Sequence, residues 1–459
     1  MTWTIAKREI YDTMTSLKFP LFLILFAASM LVSTVLFQFA YVQSLEDYHV
    51  KVAEMKEEFS EQAKRLVRLG ANWHKLHRRP PKLAMLSASG EDYVPNTVEW
   101  KSADVGAQYR VGRDNFLFRT TSQFHWAFIV GLIVSLAAII FGYDAVTGEK
   151  EAGTLRLISS NAVPRSQVLW GKFLGLAVAL GTILGIGFLL AVTTAVILGQ
   201  IPLDSMDFLK ILIFFVASGL YALVFLSLTL LISSLTHSAN ASLIFLMLLW
   251  VVLVVVIPGS GGILARSLHR TQSQSEVEGK LKQGREAVRA EFEKKWTASE
   301  YNKQDRRKWL SDRWKARRAS DQNIFLANRR QQLAQTRLGR NLTRISPRAL
   351  FSYVAERIAG TGLGGQIRFE ENVWRYADQF GDFIISKDQL DPKSPHYYFS
   401  WTGMSENPVD RDEIPIFEER APTISASLET ALPDLSILFA MGIFAMMGAY
   451  LAFLRYDVR

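Results

Sequence analysis

The stretch YDAVTGEKEAGTLRLISSNAVPRSQVLWGKFLG, Tyr143 to Gly175, decides how this chain is read. It stands between two long apolar runs. Glu149, Lys150 and Glu151 follow the first run closely, Gly148 and Gly153 punctuate them, and a proline-marked turn, Val163-Pro164-Arg165-Ser166, precedes the second. A folded polar handle between two membrane helices, on the cytosolic side, is the reading.

A span requires roughly 20 predominantly apolar residues. Six runs qualify: Phe19 to Tyr41, Trp126 to Tyr143, Val168 to Leu198, Leu209 to Leu235, Ala239 to Ile257 and Leu435 to Leu454. Short connections make the third, fourth and fifth spans antiparallel neighbours, whereas residues 42–125 and 258–434 are long insertions. Lys7, Arg8 and Lys18 precede the first span, Lys150, Arg156, Arg165 and Lys172 lie between the second and third, and Arg455 and Arg459 follow the last. With six spans these flanks share one side, which the positive-inside bias makes the cytoplasm. Both insertions are then extracytoplasmic, residues 144–167 form a cytosolic loop, and 455–459 a cytosolic tail.

Composition agrees. At 459 residues and 49% hydrophobic content the chain is longer than one ordinary domain and more apolar than a soluble protein. The formal charge of +9 would suggest nucleic acid in a soluble protein, but much of the basicity lies between Lys280 and Arg344. Cysteine is absent, which excludes disulfides, thiolate metal sites and a cysteine nucleophile. No cleavable signal is expected, because the first apolar run lacks a small-residue cleavage site.

Within residues 1–18, Trp3, Ala6, Ile10, Met14 and Leu17 recur at helical spacing with Lys7, Arg8, Glu9 and Asp12 on other faces. This predicts an amphipathic elbow helix in the membrane interface. In the first insertion Tyr41, Leu45, Tyr48, Val52, Met55, Phe59, Leu66 and Leu69 alternate spacings of three and four, interrupted at Gln62. A helix continuing out of the first span as a coiled coil is expected, stopping near Gly70 or Pro80-Pro81. Residues 275–344 read as two or more long helices with that first helix as partner, and 360–431 as compact irregular structure with short strands. The fold class is therefore an all-α polytopic membrane protein with a largely helical extracytoplasmic domain.

Chemistry of the usual kinds is missing. There is no G-x-x-x-x-G-K-[ST], H-E-x-x-H or G-x-S-x-G, so ATP is not bound here by a P-loop and the common protease and hydrolase signatures are excluded. Gly360, Gly362 and Gly365 match a dinucleotide fingerprint, but with no βαβ pattern around them they read as a flexible turn. His74 and His77 could share a helix face, yet Lys75, Arg78 and Arg79 would repel a cation, and the pair reads as solvated with no metal bound. The basic run Arg306 to Arg344 interleaves Trp309, Trp314 and Phe325, a pattern that could stack on nucleic acid. Outside a membrane it reads instead as a helix face meeting lipid headgroups, envelope polymers or Glu54, Glu57, Glu58 and Glu61, with no nucleic-acid partner. Ionisable residues, the usual proton relays, are nearly absent from the spans.

The handle resembles the first cytosolic loop of ABC-2-type transporter permeases. The resemblance rests on Asp144 to Arg156, on Ser160-Asn161-Ala162-Val163-Pro164-Arg165-Ser166 and on Gly171-Lys172-Phe173-Leu174-Gly175. The family pattern is roughly G-E-[KR]-E-x-G-T-L, a proline turn, then G-K-[FIY]; here Ala152 stands where a charge is common and Val163 precedes Pro164. Asn341-Leu342-Thr343-Arg344-Ile345-Ser346-Pro347, Ala359-Gly360-Thr361-Gly362 and Trp126 are similar to a subgroup with large extracytoplasmic insertions, permeases related to multicopper-enzyme maturation. Its copper association is not carried over, since the chain offers no thiolate or methionine cluster.

The resemblance implies a bacterial inner-membrane complex of two permease halves, two copies of this chain or one with a related permease, over two separate ATPase subunits. It implies no catalysis or cofactor in this chain, with ATP and Mg²⁺ on the partner. The ATPase contacts would be Gly148, Glu149, Lys150, Glu151, Gly153, Thr154, Arg156, Pro164 and Arg165, on a short helix from Glu149 to Ile158 with the glycines allowing a close turn. The output would be export of a substrate or mechanical work on an extracytoplasmic partner. Two other readings are a membrane-anchored scaffold or sensor without an ATPase, and a membrane enzyme with scattered catalytic residues.

Overall fold

The structure, a computed structural model, describes residues 2–88, 97–100, 124–154, 164–298, 306–397, 403–419 and 422–455. Among them six helices are long and apolar enough to cross a membrane. The chain opens with α1 (Thr2–Thr15) and α2 (Lys18–Gln62), followed by α3 (Leu66–Ala71) and the strands β1 (His74–His77) and β2 (Thr97–Trp100). The second span, α4 (126–142), is α-helical except for a π-helical turn at Val130–Val134. After α5 (Thr147–Glu151) come the spans α6 (Arg165–Leu198), α7 (Ser205–Leu235) and α8 (Ala239–Leu268), the last with its own π-helical turn at Val251–Val256. The second insertion supplies α9 (Gln274–Thr297), α10 (Arg306–Thr343), α11 (Pro347–Ala359) and α12 (Gly362–Gln389), before the last span, α13 (Ile424–Arg455).

Local chemistry sets these boundaries. Capping boxes start α7 (Asp204 with Asp207) and α9 (Ser273 with Glu276), satisfying orphan N–H groups. Ser346 caps α11, Pro347 occupies its first turn, and Gly360 at φ +74° ends it in the left-handed conformation. The elbow helix α1 lies against the start of α6, where Gly171 and Gly175, one turn apart, let the backbones approach. A Cβ on Gly175 would stand 2.5 Å from the Glu9 Cβ and 3.0 Å from the Ala6 carbonyl.

Two cores result. The larger joins all the spans through residues such as Phe26, Trp126, Phe188 and Tyr221, and it also takes in Leu350, Phe351, Val354 and Ile358 of α11. Helix α11 is thus wedged among α4, α7, α8 and α13, with Phe351 stacked on Tyr221 at 4.8 Å. The smaller core packs Phe59, His74, Trp100, Tyr376 and Phe380 where the end of α2 meets the strands and α12. Both insertions gather at one end of the bundle, where Trp126 N–H donates to Met85 O and Lys82 to Pro202 O; the handle, α1 and the end of α13 lie at the other.

Four expectations are corrected. Residues 360–431 are not irregular throughout: α12 runs for 28 residues, because Phe369, Val373, Tyr376, Phe380 and Ile384 form a buried helical stripe that outweighs the glycines before it. Helix α2 stops at Gln62, not near Gly70, since the backbone N–H groups of Leu66 and Val67 turn away to Asn407 O and Ser405 O. The two long helices of residues 275–344, α9 and α10, pair with each other rather than with α2, whose far end packs on β1, α3 and α12. Finally, His74 is buried at 2% exposure on a strand, where a spacing of three puts His77 on the opposite face.

Candidate functional site: the handle and its anchorage

The handle begins where α4 ends. Val146 and Thr147 both donate their N–H groups to Ser233 Oγ near the end of α7, which fixes the start of α5. Lys150 then reaches the carbonyls that α7 leaves unpaired at its C-terminus, donating to Ser234 O at 2.6 Å and Thr236 O at 2.8 Å. Its neighbour Glu151 accepts from the Ala239 N–H at 3.1 Å, at the N-terminus of α8. A cation at one helix C-terminus and an anion beside the next N-terminus each complement the helix dipole, worth about 0.3–1 kcal/mol apiece. Adjacent opposite charges therefore read the ends of two antiparallel spans.

Glu149 points the other way. Its Oε1 lies 2.7 Å from Lys172 Nζ, which also pairs with Glu9 of α1 at 3.4 Å. Two carboxylates thus share one buried ammonium where α1, α5 and α6 meet, along a cleft of about 560 Å³ that Asp144 and Lys18 also line. Burial pushes the Glu9 carboxyl above the usual carboxylate range, with Lys172 opposing the rise. Lys18 and Asp144 pair at 3.5 Å and hold α2 to the handle's start. On the far side Arg165 donates to the carbonyls of Phe453 and Leu454 at the end of α13.

The structure thus turns Glu149, Lys150, Glu151 and Arg165 onto the chain's own helices and, among the described residues of the handle, leaves Ala152, Gly153 and Thr154 exposed. Gly153 has φ +70°, so a side chain there would be strained; Gly148 is helical, and a Cβ would meet only Asp144 Cβ at an ordinary 3.7 Å. Thr154 Oγ1 turns back to Glu149 O at 3.4 Å, and Pro164 is exposed as the cap of α6. Arg156, with residues 155–163, lies outside the described residues. Glu9 and Ser233 were not singled out from sequence, because no spacing rule links residues so far apart.

Residues 3–386 match the family described as ABC-2 family transporter protein. The chain belongs to the ABC-2 transporter family. It is similar to the probable ABC transporter permease protein NosY of Pseudomonas aeruginosa, 46% identical over 57 residues, which are 12% of this chain and 21% of that protein. It is also similar to the protein of that name from Stutzerimonas stutzeri, 30% identical over 132 residues, 28% of this chain and 47% of that one. The chain spans less than half the length of the curated relatives it matches. With its six spanning helices this ABC-2 protein is a multi-pass protein of the bacterial inner membrane.

Proposed function

We propose that this ABC-2 chain is the permease subunit of an ABC transporter, worked by separate ATPase subunits that bind ATP and Mg²⁺ and grip the exposed residues of the handle. The observation that carries this is the anchorage of α5. It is continuous with α4, salt-bridged to α6 through Lys172, hydrogen-bonded to α7 through Lys150 and to α8 through Glu151. A displacement of the handle is delivered to four spans at once, which a solvated loop could not do.

At the other end, motion of α4 would be felt by the insertions. Arg348 of α11 is buried, donates to Ala127 O at 2.8 Å and lies so close to Gly131 in the π-helical turn that a Cβ there would stand 2.3 Å from its guanidinium. Ser346, the cap of the same helix, donates to Leu253 O in the π-helical turn of α8. Wide turns of this kind concentrate at functional sites, and here one helix of the outer domain touches both. This favours delivery of mechanical work to an extracytoplasmic partner over export of a substrate through the chain, with a second permease copy or a relative completing the membrane part.

The test is the paired reversal Lys150→Glu with Glu151→Lys, which keeps the net charge and inverts both helix-end contacts. The chain is purified from its native membrane with the ATPase that accompanies it. Nucleotide-driven exchange at α11 is expected to disappear while the ATPase stays bound. Unchanged nucleotide-driven exchange in the reversed variant would contradict the proposal.

A further inference from the structure

The long hairpin of the second insertion takes no part in the function proposed above. Its two helices run antiparallel: Arg285 pairs with Asp321 at 2.9 Å, and Trp309 Nε1 donates to Phe292 O at 2.9 Å. Nearer the spans Gln335 donates to His269 O, and α10 crosses the extension of α8 where Gly339 meets Gly261. Helix α10 holds eleven Lys and Arg against two Asp, a formal charge of +9. The whole chain also carries +9, so everything outside this helix sums to zero.

The distribution matters as much as the total. Seven of the eleven basic residues fall in 306–318, with Asp312 the lone acidic residue there. Those residues lie about 30–50 Å of helix from the crossing at Gly339, taking ~1.5 Å per residue. Attraction to anionic headgroups fades within about 8 Å, so a lipid-binding device would carry its charge at the base. Part of the charge is met within the chain, Arg317 by Asp321, Arg329 by Glu370 and Arg340 by Glu356, with Arg313 over the Trp309 ring; two acidic residues against eleven basic ones still leave α10 with a large formal excess.

The same hairpin carries a groove of about 370 Å³. Its floor is apolar, buried Leu281 and half-buried Val288, spaced by one heptad. Lys282, Arg285 and Arg289 from α9 and Arg313 and Arg317 from α10 form basic walls, Arg285 and Arg317 sharing Asp321 and Arg289 paired with Glu293, while Glu278 and Glu286 also line it. A uniformly anionic polymer has no use for an apolar floor and is repelled by the two glutamates. A helix with a heptad stripe, mostly acidic flanks and an occasional basic residue matches every part.

We propose that this groove receives an acidic amphipathic helix of an extracytoplasmic protein, which completes a three-helix coil on α9 and α10. The inference shares with the proposed function only the side of the membrane on which the insertions lie, and it needs no ATPase. It is tested with the full chain in phosphatidylcholine nanodiscs. The probes are a three-heptad synthetic helix with Leu at a and d and mainly Glu elsewhere, the same composition scrambled, polyglutamate, and phosphatidylglycerol vesicles. The ordered helix is expected to bind saturably and at least tenfold tighter than the scrambled one. Val288→Glu should remove that preference, and Arg313→Glu with Arg317→Glu should weaken binding at least tenfold. Equal binding of ordered helix, scrambled peptide and polyglutamate would overturn the proposal in favour of a polyanion site. Binding to vesicles alone, or none, would overturn it too. Coupling to the ATPase, followed separately by exchange at α11, keeps failure here distinct from failure of the proposed function.

Discussion

Replacing Lys172 by Met removes the one ammonium that two buried carboxylates share. The side chain of Lys172 is 7% exposed, that of Glu9 19% and that of Glu149 24%, so solvent cannot take over its role. Removing one partner of a buried pair costs about 3–5 kcal/mol, because the charges left behind stay desolvated, whereas replacing the whole set by neutral groups is often close to neutral. The loss should fall on the docking of α1 and α5 to α6. Hydrogen exchange reads such local opening directly, and about 3 kcal/mol corresponds to exchange at α1 faster by roughly a hundredfold or more. The variant Lys172→Met, Glu9→Gln, Glu149→Gln should recover most of the protection. Protection within threefold of the parent in the single variant, or a triple variant exchanging as fast as the single, would refute the reasoning.

Other perturbations follow from the same geometry. Asp434, fully buried, pairs with Arg344 at 2.8 Å and Arg357 at 2.5 Å, so Asp434→Asn should cost about 3 kcal/mol and loosen α11, read by thermal unfolding in mild detergent. Gly131→Val should displace Arg348 and cost about 1–3 kcal/mol by overpacking, with much of the loss restored by adding Arg348→Ala; no restoration would argue against that contact. His74 is pushed down to about 4 by burial, against the hydrogen bond to Leu69 O. Its folded pKa lies below the unfolded value, so the unfolded state binds the extra proton and stability falls as pH drops from about 6.5 towards 4. His77 on the same strand is likewise pushed down to about 4, by burial and by Lys51 and Lys75. The His74 share of the loss in protection of β1 and β2 between pH 7 and 5 is about 2 kcal/mol, which His74→Phe should remove while leaving the part that belongs to His77.

The six spans were legible because apolar runs of that length have few other uses, and the handle because charge, glycine and proline cluster nowhere else so close to two spans. What the handle's charges face was not legible. Lys150 and Glu151 read the ends of α7 and α8, and no local spacing announces that Ser234 and Ala239 will stand beside them. Helix α12 was hidden by Gly362, Gly364 and Gly365, which weigh on propensity but sit at its first turn, where a helix tolerates them. The pairing of α9 with α10 was missed for a different reason: a mostly charged seam carries too few apolar contacts to name its partner. Arg348 follows a proline in a stretch with no spanning hydropathy, so nothing marked it for burial among the spans.

The most direct test of the central claim is a photo-cross-linker placed at Thr154, exposed on the handle, and in a second variant at Leu390, 74% exposed at the opposite end, in native membranes. A P-loop ATPase joined to the chain from Thr154 and not from Leu390 is expected. No ATPase from Thr154, or equal yield from Leu390, would contradict the claim that the handle is where this ABC-2 protein is driven.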